Sequence, residues 1–585
     1  MTVHASIHAD LDPIEAEIIR FGLLAIPKQI EVNITRTAYS PLVYEYKDYA
    51  VGITDAEGRL VADSQGGIPL FVANALGVAV RDGLKVHGKD GIAAGDVIIS
   101  NHAGTLGQHL NNVVMYTPIH AQGELVGFMA VLVHWVDIGG ITIGSCAPVG
   151  TSEIYQEGIQ FRSVKLMAAG RRVDDMYRMI ECNTRFPVML MGDLESQLAG
   201  CLLGRDLATA LFEKYGVPKL RAAIEAMWTR SEKIARAAVA AMPDGEYRAS
   251  SFLDNDGLET DKNVPIEVIV RVCGEDMTVD FSGIADQLRG SINSGREGGA
   301  VTAARIAFKY LATPHEPADE GAFRPLRVEI PDGKFLSASA EAPMAMYSTP
   351  LPTVIDTVMR AMVQAAPDRL AAGHHSNFGI HSVVGSDRRT GERFFNLTSG
   401  QGGWGASKGF DGPGPYKTMS HGDTFDVPVE VQEALYPMRV ESFGLRPDSG
   451  GAGEFRGGLG TQKELLILDD CELQLNFERT QCTPWGVLGG SDGAPPSANV
   501  DVGETKGQRI LKGNVAVKAG DRLHMRMSGG GGFGPARQRD AATVLRDVRQ
   551  GYVSKEAARA RYGVVITDQA TLDASATDAL RGTMT

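Results

Sequence analysis

The sequence predicts a large mixed α and β protein in several interlocked layers. Three observations lead there. Amphipathic helical segments and short apolar runs alternate through the first two thirds of the chain. From about residue 390 onward the pattern changes to short strands and Gly-rich loops. No linker-like tract separates these parts. A chain of 585 residues corresponds to about three or four domains. The pattern divides into an α/β region with a helical extension at 1–245, a central α+β region at 246–390, a β-rich Gly-loop region at 391–535, and a helical hairpin with a tail at 536–585.

The elements follow in order. "DPIEAEIIRFGLLAI" reads as a helix, with Asp12 as N-cap, Pro13 at the first helical position and acidic residues in the first turn. Ile14, Ile18, Phe21 and Leu24 mark its apolar face, and Pro27 kinks or ends it. "DYAVGITDAEGRLVADS" is a hairpin around an acidic Gly turn. "FVANALGVAVRDGLKV" is helical. "GDVIISNHAGT" and "GFMAVLVHWVDIGG" are buried strands running into Gly-rich loops, with "NNVVMYTPIHAQGELVGF" as strand material between them. Residues 153–245 are mostly helical. "VPIEVIVRV" and "MTVDFSG" are strands, and "GGAVTAARIAFKYLA" and "TPLPTVIDTVMRAMVQAAP" are helices. "ARQRDAATVLRDVRQGYVSKEAARARYG" closes the chain as a helical hairpin, and the last dozen or so residues read as weakly packed.

Composition narrows the function classes. Hydrophobic residues are 43% and charged residues 22%, the balance of a globular protein with ample core. The net charge of −14 argues against a nonspecific grip on nucleic acid or anionic membrane. Cys146, Cys182, Cys201, Cys273, Cys471 and Cys482 are scattered without a CxxC pair and read as inert core thiols, which fits a reducing cytoplasm. The N-terminal segment lacks the pattern of a signal peptide, and no run of about 18 apolar residues suggests a membrane span. The expectation is a cytoplasmic protein. There is no GxxxxGK[ST], no strand-borne GxGxxG with a downstream acid, no HExxH and no nucleophile elbow, so nothing argues for ATP binding by this chain alone.

The chemistry-bearing residues cluster in two short runs. "QHLNN" at 108–112 contains His109 and Asn112, and "VHWVDIGG" contains His134 and Asp137. Taken singly, each histidine in such an apolar, Gly-punctuated setting is more often structural than catalytic. Together, two strand ends can bring them into one site, with Asp48 and Asp137 as oxygen ligands or hydrogen-bonding partners. Both readings stand on residues alone. Arg36 and Tyr39 in "TRTAYSP" are candidates to face substrate, against a plain reading as a helix-end salt bridge and a packed ring. Glu45 pairs with Asp48 as a candidate for acid/base work, against a solvated surface role. His374 and His375 read as loop histidines bonded to loop carbonyls, with substrate binding as the alternative. "QGGWGASKGFDG" reads as a loop whose glycines admit a ligand or another chain close to the backbone. Arg446, Asp448 and Arg456 pin turns.

The order of these words over some 500 residues resembles the hydantoinase B/5-oxoprolinase family, which includes catalytic subunits of acetone and acetophenone carboxylases. The resemblance runs from "LDPIEAEIIRFGLLAI", "TRTAYSP" and "KDYAVGITDAEGRLVA" through "GDVIISN" and "VHWVDIGG". It continues with "RGSINS", "LRPDSGGAGEFRGGLG", "PWGVLGG" and "MSGGGGFGP". It implies a hydantoinase B-like fold and one divalent metal, zinc or manganese, held in the N-terminal region by an Asp, a His-x-x-Asp pair and a further His. The matching positions are Asp48, His109, Asn112 and His134. Asn112 stands where the family carries Asp, and an amide oxygen brings no charge to the metal. The family's "NDP" turn is "NHAG" at 101–104, which places His102 where a compensating ligand could come from.

The resemblance further implies Asp48, His109 and His134 as catalytic residues and a hydantoinase A-type partner that binds ATP. The expected function is that of a B-type subunit in a hetero-oligomer that opens a cyclic amide such as a hydantoin or lactam with ATP. Two alternatives are an ATP-dependent ketone carboxylase and a metal-free, non-catalytic structural subunit.

Overall fold

The computed structural model describes residues 11–145 and 150–583. The chain folds into two compact units. The first comprises Met1–Glu246, Arg271–Ser348 and Ser420–Val427; the second comprises Tyr247–Val270, Thr349–Met419 and Pro428–Thr585. Segment 1–245 falls within the first unit and 246–390 is shared. Segments 391–535 and 536–585 fall in the second unit, apart from Ser420–Val427.

The first unit is built on an antiparallel sheet. Its strands are β1 (Tyr49–Asp55), β2 (Leu60–Asp63), β3 (Val97–Ser100), β4 (Asn112–Ala121), β5 (Glu124–His134), β6 (Val164–Ala168) and β7 (Arg171–Arg172). They run in the order β2-β1-β5-β4-β3-β6-β7. Its helices in this stretch are α1 (Pro13–Thr37), α2 (Pro41–Tyr44), α3 (Pro69–His87), α4 (Ala103–Leu106), α5 (Asp174–Cys182), α6 (Pro187–Tyr215) and α7 (Val217–Ala240). A Cβ on Gly83 of α3 would meet the Tyr116 ring, while one on Gly204 of α6 would meet Met129. Tyr116 pairs with Ala130, so Met129 points to the other face, and α3 and α6 cover opposite faces of the sheet. Double coverage explains why β1 is buried at every residue instead of alternating.

Helix α1 differs from expectation twice. Asp12 does cap it, accepting from Glu15 N–H at 3.1 Å, but the helix continues past Pro27 to Thr37. Its buried face is Ile19, Leu23, Ile26, Ile30 and Ile34. Ile14, Ile18 and Phe21, read as the apolar face, are 72%, 54% and 60% exposed. The first turn is apolar on two sides, and the longer stripe of five residues decides which side packs.

In the second unit, two antiparallel sheets share one core, which includes Val383, Leu465, Leu473, Leu475, Phe477 and Leu523. Beside it lies a core made of backbone. Residues 528–532, "SGGGG", run through a bundle of extended segments. Gly530 N–H donates to Gly458 O, Gly531 N–H to Gly373 O and Gly532 N–H to Ser491 O. Gly530 O accepts from Gly451, Gly531 O from Ala406 and Gly532 O from Val487. A Cβ on Gly530 would lie 2.0 Å from Trp404 O and one on Gly531 1.9 Å from Trp485 O. The glycines of "QGGWG" and "SGGGG" thus admit neighbouring backbone of the same chain.

The C-terminal hairpin forms as read, with helices at Ala541–Arg549 and Lys555–Tyr562. The tail is not loosely packed. Residues Ala574–Thr583 form a further helix, with Thr577 buried and Arg581 donating to the carbonyls of Tyr562 and Arg539. Among the described cysteines only Cys201 is buried; Cys182 and Cys273 are exposed, so the reading of all six as core residues does not hold. Cys146 lies outside the described residues.

Candidate functional site

The β4–β5 hairpin brings the two runs together. Asn112 is the first residue of β4 and His134 the last of β5, and the two are direct cross-strand partners. By strand parity both point to the face covered by α3. Helix α4 ends at Gly107, whose φ of +68° turns the chain into the 108–112 segment. A Cβ there would sit 2.7 Å from the Gly295 Cα, so only glycine fits. That turn delivers His109 to the same place: its ring centroid lies 4.9 Å from that of His134 and 4.9 Å from that of Tyr347.

The cluster is buried, with Asn112 and His134 at 1% and 2% exposure. Asn112 Nδ2 donates to Gln108 Oε1 (3.1 Å) and Tyr347 Oη (3.0 Å), which fixes the amide and leaves Oδ1 without a partner. His109 Nδ1 and His134 Nδ1 are also without partners. Burial holds His109 well below the usual imidazole range, reinforced by the neighbouring His134. Burial likewise brings His134 down to about 4. Both rings are therefore neutral near pH 7, the form that binds a metal ion. Asp48 joins through its backbone, Asp48 O accepting from His134 N–H at 3.1 Å. Burial alone pushes its carboxyl up to about 7.

These donors fit a divalent cation in kind. Two neutral imidazoles and one amide oxygen carry unpartnered buried atoms, and a carboxyl without a compensating cation is tied to the same strand end. Among the described residues no group of three or more His, Cys, Asp or Glu side chains comes together to hold an ion. Asn112 is not one of those residue types.

Other expected residues have other occupations. Asp137 is committed to Arg185, which bonds it through Nη2 at 2.5 Å, Nε at 3.0 Å and its backbone N–H at 2.6 Å. It is an ion-pair partner and not a ligand. His102 contacts Thr105 Oγ1 through Nδ1 at 3.0 Å, so that nitrogen does not make good the missing carboxylate at 112. Arg36 is exposed at the end of α1. Tyr39, 59% exposed, lays its ring over Gly192 and is held through its N–H by Asp193. Glu45 caps α2, half-buried. None of the three shares a hydrogen bond or ring contact with His109, Asn112 or His134.

Three supporting residues carry no mark in the sequence. Gln108 lies in the quoted run itself, four residues before Asn112, and that spacing is the one signal available. Tyr347 is 235 residues away from the residue it orients. Gln197 of α6 donates to Val113 O and Val131 O (2.9 Å each) and accepts from Trp135 Nε1 (3.0 Å), tying both strands to the residue after His134.

Comparison with known proteins supplies context. The family profile described as "Hydantoinase B/oxoprolinase" matches residues 12–536. The B-type chain of a D-/L-hydantoinase, so named by similarity, from Pseudomonas sp. (strain NS671) is 30% identical over 99% of this chain and 100% of its own length. The beta chain of caprolactamase from Pseudomonas jessenii is 31% identical over 98% of this chain and 99% of its own length. The crystal structure of ATP-dependent caprolactamase from that organism matches with a TM-score of 0.90 at 29% identity, covering 98% of this chain and 100% of that one. A nucleotide-free acetone carboxylase structure shares the fold, with a TM-score of 0.87 at 19% identity over 98% of this chain and 82% of that one.

Proposed function

The chain belongs to the hydantoinase B/oxoprolinase family, and on that footing we propose that it is the B-type subunit of an ATP-dependent hydrolase of cyclic amides such as hydantoins or lactams. The observation that carries this reading is the end-to-end similarity to two chains named for cyclic-amide substrates. An unactivated amide is a poor electrophile, so ATP phosphorylates its oxygen first. The sequence holds no nucleotide-binding motif, and we assign that step to an A-type ATP-binding partner in a cytoplasmic hetero-oligomer. No helix of the described residues is long and apolar enough to cross a membrane.

Within this chain, Asp48, His109, Asn112 and His134 would hold one zinc or manganese ion, which supplies Lewis acidity toward a carbonyl or a water when bound. The protein's own contribution is positioning. Gln108 and Tyr347 fix the Asn112 amide, so that its oxygen and not its NH2 faces the cluster. The buried, neutral imidazoles present lone pairs without first losing a proton. Burial also excludes bulk water from a reaction that must hydrolyse only the bound amide.

Two readings compete. A ketone carboxylase is favoured only by the fold shared with acetone carboxylase. A metal-free structural subunit is favoured by Asn112 standing at a carboxylate position. One experiment separates all three: purify this chain with its A-type partner, measure bound metal, and follow ADP release with hydantoin, caprolactam, 5-oxoproline and acetone, with and without bicarbonate. The expected result is about one equivalent of zinc or manganese, lost in His109→Ala, and amide-dependent turnover indifferent to bicarbonate. Turnover of the ketone only with bicarbonate would make the protein a carboxylase. A wild type without metal, and an Asn112→Asp variant that gains it, would leave the structural reading.

A further inference from the structure

The second unit contains another buried polar cluster, built on two strained turns. Ser376 and Arg479 both adopt left-handed backbone, at φ +46° and +67°. Asp356, on the buried helix Leu351–Met362, joins the turns: Oδ1 faces His374 Nδ1 at 3.2 Å, and Oδ2 accepts from Arg479 Nη2 (2.9 Å) and Trp485 Nε1 (2.8 Å). Asn377 makes a second tie, its Oδ1 accepting from Glu478 N–H (3.0 Å) and Gly379 N–H (2.9 Å). These contacts replace the loop carbonyls expected for His374.

This is not a nucleophile with its base. Ser376 Oγ lies closer to His374 Nδ1 (3.0 Å) than to Nε2 (3.4 Å), so the serine and Asp356 address the same nitrogen. A serine relay needs them on opposite nitrogens. What the cluster does have is unpartnered donors. The Arg479 side chain is 1% exposed, yet only Nη2 has partners, Asp356 and Thr483 O; Nε and Nη1 have none. Asn377 Nδ2 has none either. His375, fully buried with its ring against Gly402, has both nitrogens unpartnered, with the backbone of Tyr416 and Lys417 near but outside hydrogen-bond geometry.

Each such group costs on the order of 1–3 kcal/mol when left dry, and a folded protein leaves few of them. Arg479 and Asn377 lack acceptors, so the missing partner is acceptor-rich. Nearby charges are already matched: Asp356 pairs with Arg479, and Glu478 pairs with Lys512. The partner is therefore recognised by directed N–H bonds more than by excess positive charge. With one nitrogen of a neutral His375, these side chains offer more N–H bonds than the about four lone-pair sites of a carboxylate accept; a phosphoryl group presents three strong acceptor oxygens.

We propose that Arg479, Asn377 and the His374–Asp356 pair that positions Arg479 form a second ligand site, specific for a phosphoryl oxyanion. The source is either free phosphate or the phosphoryl group of an activated acyl compound. Nothing in this assignment depends on the hydrolase reading.

The test uses the full chain and calorimetric titration with inorganic phosphate, acetyl phosphate and acetate. Phosphate or acetyl phosphate binds, and Arg479→Lys and Asn377→Ala each weaken that binding about tenfold or more; Asn377→Asp, which puts an anion where a donor stood, abolishes it. Whichever phosphoryl compound binds more tightly identifies the source. Circular dichroism and thermal melting of each variant establish folding, and if Arg479→Lys does not fold, the two Asn377 variants decide. Failure of both phosphoryl compounds to bind the wild type at millimolar concentration overturns the proposal. So does an Asn377→Ala variant that binds as the wild type does, or acetate binding more tightly than either.

Discussion

At the scale of single residues, the first unit carries an uncompensated desolvation at Glu157. Its Oε1 accepts from Met344 and Ala345 N–H at 2.6 and 2.8 Å, its Oε2 has no partner, and burial pushes its pKa from 4.5 up to about 8. Below about pH 4.5 the folded and unfolded chains both keep the proton, and the penalty is absent. Between 4.5 and 8 the unfolded chain ionises while the folded chain does not, so this residue makes stability fall as pH rises, by on the order of 4 kcal/mol over the window. Glu157→Gln keeps an acceptor for both N–H groups and carries no charge. Urea unfolding at pH 5 and pH 8 is expected to show the variant gaining on the wild type at the higher pH; a parallel pair of curves would mean that Glu157 is not protonated in the fold. The same scale shows what a sequence reveals about a site. His109 and His134 are legible because each borders a run whose partner strand is close in the chain. Tyr347 is not, because an aromatic residue 235 positions away carries no periodicity that points to its partner. Asp137 invites a reading as a ligand because Arg185, which neutralises it, lies 48 residues on in an unrelated segment.

At the scale of elements, α6 does more than cover the sheet. Gln197 donates to one carbonyl on each of β4 and β5, and also satisfies the Trp135 indole. Gln197→Ala would leave two carbonyls and one N–H unsatisfied beside a cavity, a cost of about 3–5 kcal/mol. Thermal unfolding reports that loss. Loss of whatever metal the wild type holds should accompany it, because Trp135 adjoins His134. Unchanged stability would show that water replaces the amide. Helix starts, the β1–β2 hairpin and the two long strands are all readable, since their signals are local: a cap, a Gly turn, an apolar run. The buried face of α1 is not. With apolar residues on two sides of its first turn, only the rest of the fold determines which side is covered.

At the scale of the molecule, the two units rest on different physics. The first is a sheet packed by side chains between helices. The second has, beside its apolar core, a junction where main chain meets main chain with no room for a Cβ. Gly530→Ala places a methyl 2.0 Å from Trp404 O and 2.2 Å from its carbonyl carbon, and the backbone it meets has nowhere to yield. A loss of about 4 kcal/mol or more is expected, seen as insoluble protein or as early melting of part of the chain; near-wild-type melting would contradict the tight junction. Composition announces these glycines, but not their partners, since glycine carries no side chain whose pattern could reveal a neighbour.

That junction also sets a timetable for synthesis. Its members come from residues 373, 403–406, 449–460, 484–493 and 528–532, and none of them can substitute for the central run. A ribosome must therefore deliver some 160 residues, from 373 to 532, before the hub can close. Until then those segments wait as unpaired extended strands, the state most exposed to misassociation. The nascent chain should accordingly depend on holding factors and slow translation well after its first sheet has formed.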